Sequence, residues 1–221
     1  MKLISYLSAL LFPDKCVLCG QILKKEEMDL CRTCRVDAPD CPISKIKYPF
    51  LDKWTALWYY EGTVRRSLLR YKFYGRRGYA DPYGRMLAMK LLREDRADAD
   101  LVTWIPISEK RKRKRGFDQV ELLAETVSAE LQIPVMPLLW KRRDNPPQSG
   151  IAGQAQRRAN VLGAYEAINL QEISGKRILL LDDILTTGAT AGEAARVLLT
   201  AGAKSVELAA VAAAGPKKHN Q

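Results

Sequence analysis

Thirteen consecutive residues, Ile178 to Thr190 (ILLLDDILTTGAT), join an apolar run, two acids and a turn rich in Thr and Gly. The run reads as a buried strand. In open α/β sheets ligands collect at the carboxyl ends of strands, where the following helix presents free backbone N–H groups to anions. Leu185, Thr186, Thr187, Gly188, Ala189 and Thr190 are therefore a candidate phosphate cradle, with threonine hydroxyls as donors and Gly188 admitting close approach of the backbone. Two adjacent carboxylates would repel that phosphate. Asp182 and Asp183, expected to face solvent where the strand ends, suit hydrogen-bond donors instead, such as the hydroxyls of a sugar.

Two further clusters carry chemistry. Lys110, Arg111, Lys112, Arg113, Lys114 and Arg115 are consecutive, precede Gly116 and interrupt the apolar period, so the run reads as a loop rather than a solvated helix face. Its partner is either a diphosphate or a DNA backbone. Cys16, Cys19, Cys31 and Cys34 form C-x2-C-x11-C-x2-C, a spacing that brings two knuckles to one tetrahedral thiolate site, and Gly20 gives the first knuckle a permissive backbone. Structural Zn²⁺ is preferred over a disulfide or redox pair, and Cys41 is read as a buried thiol. His219, the one histidine, has no visible partner, so histidine acid–base catalysis is not supported.

The elements that must position these groups follow from pattern. Residues 54–61 read as an aromatic-rich strand, 63–74 and 83–94 as helices, 101–107 as a strand, 108–119 as a loop and 120–131 as a helix. A second strand is expected over 134–140, then a long polar stretch over 141–160, a buried strand over 177–181, a crossover helix over 192–201 and a last strand over 206–213. Strand, loop and helix in repetition predict a parallel sheet with helices on its faces, an α/β fold. Trp54, Trp58, Tyr59 and Tyr60 are expected in an aromatic core in preference to a base-stacking platform, with Tyr71 and Tyr74 the most exposed of the aromatics.

With 36 Lys and Arg against 25 Asp and Glu, a net charge of +11, the chain favours anionic partners. No apolar run reaches the length of a membrane-spanning helix. Residues 1–12 are read as an amphipathic helix packed on the cysteine module in preference to a targeting signal, and residues 216–221 as a disordered tail. The cysteine usage points to a cytoplasmic location.

The 178–190 stretch resembles the signature of type I phosphoribosyltransferases that bind phosphoribosyl diphosphate (PRPP). Residues 106–125, residues 141–158 with Asn160, and the cysteine module narrow the resemblance to the ComF family. The family usually reads Arg-Gly-Phe-Asn-Gln where this chain has Arg115, Gly116, Phe117, Asp118 and Gln119, so Asp118 removes an amide donor from that motif. The resemblance implies Asp182 and Asp183 on the ribose hydroxyls, the 185–190 turn on the 5′-phosphate and Mg²⁺ carried with the substrate. It places the basic run at the pyrophosphate loop and a catalytic lid over 145–160, where Gln148, Arg157 and Arg158 would close over the diphosphate.

The expected organisation is a zinc-ribbon-like module with an N-terminal helix (1–45) followed by a type I phosphoribosyltransferase-like domain (46–215). The resemblance further implies a role in DNA uptake and natural transformation, peripheral at the inner face of the membrane beside uptake or recombination proteins. The alternative is a non-enzymatic factor that binds single-stranded DNA and uses the PRPP fold as sensor or scaffold.

Overall fold

The apolar run that opens the signature stretch is covered on both sides, as a strand inside an α/β sheet must be. Strand β5 (Arg177–Leu185) pairs in parallel with β6 (Ser205–Ala213) and with β2 (Leu101–Trp104), while β1 (Lys53–Tyr59) adds in parallel to the far side of β6, giving the order β1-β6-β5-β2. These relations come from a computed structural model that describes residues 13–144 and 154–215, save the side chains of residues 154, 155, 157 and 158. The readings of residues 1–12, Gln148, His219 and the 216–221 tail lie outside the described residues, as do the side chains of Arg157 and Arg158.

Alternate side chains of β5 serve two cores. Leu179 and Leu181 pack with α2 (Gly62–Phe73), α3 (Ala80–Arg93) and α5 (Gln119–Leu131) through Leu68, Tyr71, Tyr83, Leu87 and Leu123. Ile178 and Leu180 pack on the other face with Ala194 and Leu198 of α8 (Ala189–Thr200). Between α3 and α5 the backbones come close, and a Cβ on Gly84 would meet the Thr126 side chain at 2.5 Å. The cysteine module, with its short helix α1 (Arg32–Asp37), enters the first core directly: Cys16, Val17, Leu18, Cys31 and Cys34 are buried with Leu68 and Tyr83.

Several expectations are corrected. The basic run is helix α4 (Glu109–Arg115), begun by Ser108, whose hydroxyl accepts from Arg111 N, and ended by Gly116 at φ 79°. Start and stop signals outweigh the absence of an apolar stripe here. Residues 134–140 do not extend the main sheet; Val135 makes one bridge to Val102, and β3 (Leu139–Lys141) pairs antiparallel with β4 (Tyr165–Ala167) in a separate two-stranded hood. Between these two strands the chain includes α6 (Gln154–Val161), and α7 (Leu170–Ile173) follows β4. Strand β5 runs four residues past Leu181, so the acid pair lies within it rather than beyond its end. Trp54 and Trp58 are buried as expected of core aromatics. Tyr71 is not exposed; it is fully buried, while Tyr74 is 73% exposed.

Candidate functional site

A cavity of about 350 Å³ opens over the carboxyl ends of β2 and β5. Its lining includes Lys72 from α2, Arg111 and Arg115 from α4, Lys141 from β3, and Asp182 and Asp183 from β5. Thr186 and Thr190, Asn160 of α6 and Tyr165 of β4 complete the lining. Helical spacing explains why only two of six consecutive cations enter: Arg111 and Arg115 are four apart and share one face. Lys110, Arg113 and Lys114 are exposed on the outer side, and Lys112 pairs with Glu121 of α5 at 2.7 Å.

The remainder of the glycine turn is placed differently. Leu185 is buried in the second core, and Thr187, Gly188 and Ala189 line a separate cavity of about 210 Å³ with Phe50, Leu162 and Arg196. Gly188, at φ 73°, lies against the Tyr48 ring where a Cβ would collide, and the Tyr48 hydroxyl donates to the Thr186 carbonyl at 3.4 Å.

The two acids are not solvent-facing equivalents. Asp183 is 5% exposed; its Oδ1 takes Lys72 Nζ at 2.9 Å and its Oδ2 accepts from Gln119 Nε2 at 2.9 Å. Burial works against its charge, yet Lys72 and Gln119 prevail and hold the carboxyl below the usual range. Asp182 is half-buried and accepts from Asp183 N; burial, then the charge of Asp183, pushes its carboxyl up to about 8. Lys141 Nζ lies 3.3 Å from the Tyr165 hydroxyl and 5.2 Å from that ring's centroid, and burial followed by the Arg111 charge pushes its ammonium down to about 8.

Asp118 is turned away from the cavity. Its Oδ1 caps α5 by accepting from Val120 N at 2.9 Å and Glu121 N at 3.4 Å, and its Oδ2 accepts from Ile107 N at 2.9 Å. The departure from the family's Asn thus falls on a buried cap, an acceptor's task. Sequence reasoning missed Lys72 and Gln119. Lys72 sits among the alternating basic and apolar residues of α2, and only its distance to Asp183 marks it.

The cysteine sulfurs all lie within 4.8 Å of one another, and Cys19 Sγ is 3.7 Å from Cys31 Sγ. Tetrahedral Zn²⁺ with bonds near 2.3 Å needs sulfurs about 3.8 Å apart, so the four thiols fit the metal and would fill its coordination, a structural site. The knuckle is built by Gly20 N donating to Cys16 O at 2.8 Å with Gly20 at φ 82°, and by Cys31 Sγ accepting from Cys34 N at 3.5 Å. Cys41, outside this group, is buried as expected, and burial pushes its thiol up to about 11.

Residues 121–220 match the family described as "Phosphoribosyl transferase domain", and the parallel sheet, with its acid pair in β5 beside Thr186, Thr190 and a set of cations, has that type of fold. The likeness runs well beyond that segment. Competence protein F of Haemophilus influenzae is 24% identical, spanning 89% of this chain and 96% of that protein. Competence protein ComFC of Streptococcus pneumoniae is 29% identical over 87% and 97%, and DNA utilization protein YhgH of Escherichia coli O157:H7 is 25% identical over 89% and 95%. The resemblance to the ComF family, read from the motifs, is supported over most of the chain by these relatives, and the four-cysteine module lies ahead of the segment that matches the transferase family. No helix among the described residues is long and apolar enough to cross a membrane.

Proposed function

We propose that this protein binds PRPP in the larger cavity and serves, as a phosphoribosyltransferase-like protein, in the uptake of DNA. The observation that carries the first half is the meeting in one cavity of Arg111, Arg115, Lys141 and Lys72 with Asp182, Asp183, Thr186 and Thr190. Cations on one wall suit a diphosphate, carboxylates on the strand suit ribose hydroxyls, and the threonine hydroxyls suit a 5′-phosphate. Mg²⁺ would arrive on the diphosphate oxygens, neutralising charge as the leaving group departs. In a transfer reaction positive charge builds on the ribose as the diphosphate leaves. The tasks of this chain's residues are then to hold the sugar with Asp182 and Asp183, draw the diphosphate away with Arg111 and Arg115, and exclude water beneath the hood.

The second half rests on the relatives' names and on one surface. Lys110, Arg113 and Lys114 face outward beside the end of α2, where Phe73 is 63% exposed, Tyr74 73% exposed and Arg76 and Arg77 exposed. Arg77 donates to Gly116 O, and the Arg115 guanidinium lies 5.1 Å from the Phe73 ring, which fixes the two ends together. Cations beside exposed rings suit single-stranded DNA, with the rings stacking on bases. Membrane-associated uptake or recombination proteins are the partners that would deliver such a strand to the inner face of the membrane.

One crossed experiment tests both halves. The inner variant, Arg111→Ala with Arg115→Ala, should lose PRPP binding by calorimetry and keep most DNA affinity. The outer variant, Lys110→Ala, Arg113→Ala and Lys114→Ala, should keep PRPP and lose DNA affinity, with the slope of log K against log salt shrinking by roughly 0.7 per lost contact. Release of pyrophosphate from PRPP over a panel of acceptors decides whether the ligand is consumed. Wild-type protein that takes up no PRPP ends the first half; an outer variant with an unaltered salt slope ends the second.

A further inference from the structure

Asp183 reaches the cavity with both oxygens already engaged. Lys72 Nζ holds Oδ1 at 2.9 Å and Gln119 Nε2 holds Oδ2 at 2.9 Å, while Arg115 Nη1 donates to Gln119 Oε1 at 2.7 Å. The Gln119 contact is fixed: the amide is 2% exposed, and with its oxygen bound to Arg115 its nitrogen can only donate toward Asp183. The Lys72 contact is of another kind. Its side chain is 20% exposed, lines the same cavity as Arg111 and Arg115, and ends in a compact ammonium on a flexible stem that can exchange one anion for another.

From this asymmetry we infer that Lys72 is a displaceable counterion that makes the cavity select sugars carrying a diphosphate beside their hydroxyl pair. Oδ1 keeps one further acceptor site, but a sugar hydroxyl that approaches it from the cavity meets Lys72 there and competes with the ammonium for the oxygen. A neutral sugar, or one phosphorylated only at its far end, offers the departing ammonium nothing, so the exchange replaces an ion pair with a neutral hydrogen bond. A ligand with an anionic group on the carbon next to the hydroxyl gives the ammonium a new partner within the same cavity, and the exchange then conserves charge pairing.

The inference rests on the proposed PRPP site, and its test separates the two. Calorimetric titrations of wild type, Lys72→Met and Lys72→Arg are run with PRPP and with ribose 5-phosphate, each with Mg²⁺. Wild type should prefer PRPP strongly. In Lys72→Met the affinity for PRPP should fall by roughly tenfold or more, the worth of a hydrogen bond to a charged group, while ribose 5-phosphate binding holds or improves, so that the ratio of the two affinities collapses. Lys72→Arg should recover part of that ratio. A Met variant that loses both ligands alike, or retains the wild-type ratio, overturns the counterion role and leaves PRPP binding intact as a reading. Wild type that binds the two ligands alike overturns the counterion role, and wild type that binds neither overturns both. Thermal melting of each variant runs alongside, because a purely structural Lys72 would lower the melting temperature without changing the ratio.

Discussion

The four-cysteine group draws every ligand from residues 16–34, whereas the cavity draws Lys72, Arg111, Arg115, Lys141, Asp182 and Asp183 from α2, α4, β3 and β5. One is a local construction in which backbone knuckles bring four thiols together within a short stretch of chain. The other exists only after the sheet, the helices on its first face and the hood are in place. The difference decides how each can fail: the local site fails with its metal, the distributed one with the alignment of its parts.

The largest effect expected is on the local site. Cys31→Ser removes a ligand and a thiol that is 4% exposed in the core shared with Leu68 and Tyr83, so metal loss should spread into α2 and α3. Metal analysis should show zinc released, and calorimetry a loss of stability on the order of 3 kcal/mol or more. A variant that melts like wild type would show the module to be independent of the sheet, and the comparison would break.

An intermediate effect is expected in the cavity, and it depends on pH. The folded Asp182 carboxyl is raised to about 8, so its contribution to stability is fully present below the unfolded value near 4 and is lost as pH rises through 8. Asp182→Asn should therefore match wild type near pH 4 and become the more stable of the two by pH 8.5, by on the order of 2 kcal/mol. Melting curves of both proteins across that range check it; a constant difference would mean that Asp182 is ionised throughout.

The smallest effect tests the joint between α4 and α5. Asp118→Asn keeps one oxygen for the Val120 and Glu121 N–H groups but turns an NH₂ toward Ile107 N–H, which then loses its acceptor. The cost should be about 1 kcal/mol in urea unfolding, with PRPP affinity unchanged because the side chain does not line the cavity. A fall in PRPP affinity instead would tie the cap to the ligand.

What the chain reveals before folding follows the same division. The cysteine spacing and the 178–190 stretch are legible because their chemistry is carried by neighbours in sequence, and β5, α8 and β6 emerge from apolar runs alone. Helix α4 is bounded in sequence by Ser108 and Gly116, a readable start and stop that the cations between them obscure. The hood is harder: Leu139 finds its partner in Ala167 across a long intervening segment, and no local period announces an antiparallel pair. Lys72 is hardest of all. Nothing on α2 separates it from Arg65, Arg66 or Arg70, and its meaning comes from a carboxylate that lies more than a hundred positions away in the chain.

Helix α2 answers to the cysteine module, α5 and β5 at once. Ser67 and Arg70 donate to the carbonyls of Val17 and Leu18 in the cysteine module, the Tyr71 hydroxyl donates to Gln119 O, and Lys72 meets Asp183. Val64 and Leu68 fill the core between. Of its twelve residues only Gly62, Arg65, Arg66 and Phe73 are exposed, and Gly62 takes φ 51°. A library randomised along this helix would thus find its freedom almost wholly at Arg65 and Arg66, with Phe73 open to exchange for other rings. Elsewhere on α2, apart from Lys72 at the cavity, substitutions would be removed by selection for folding before selection for ligand could act.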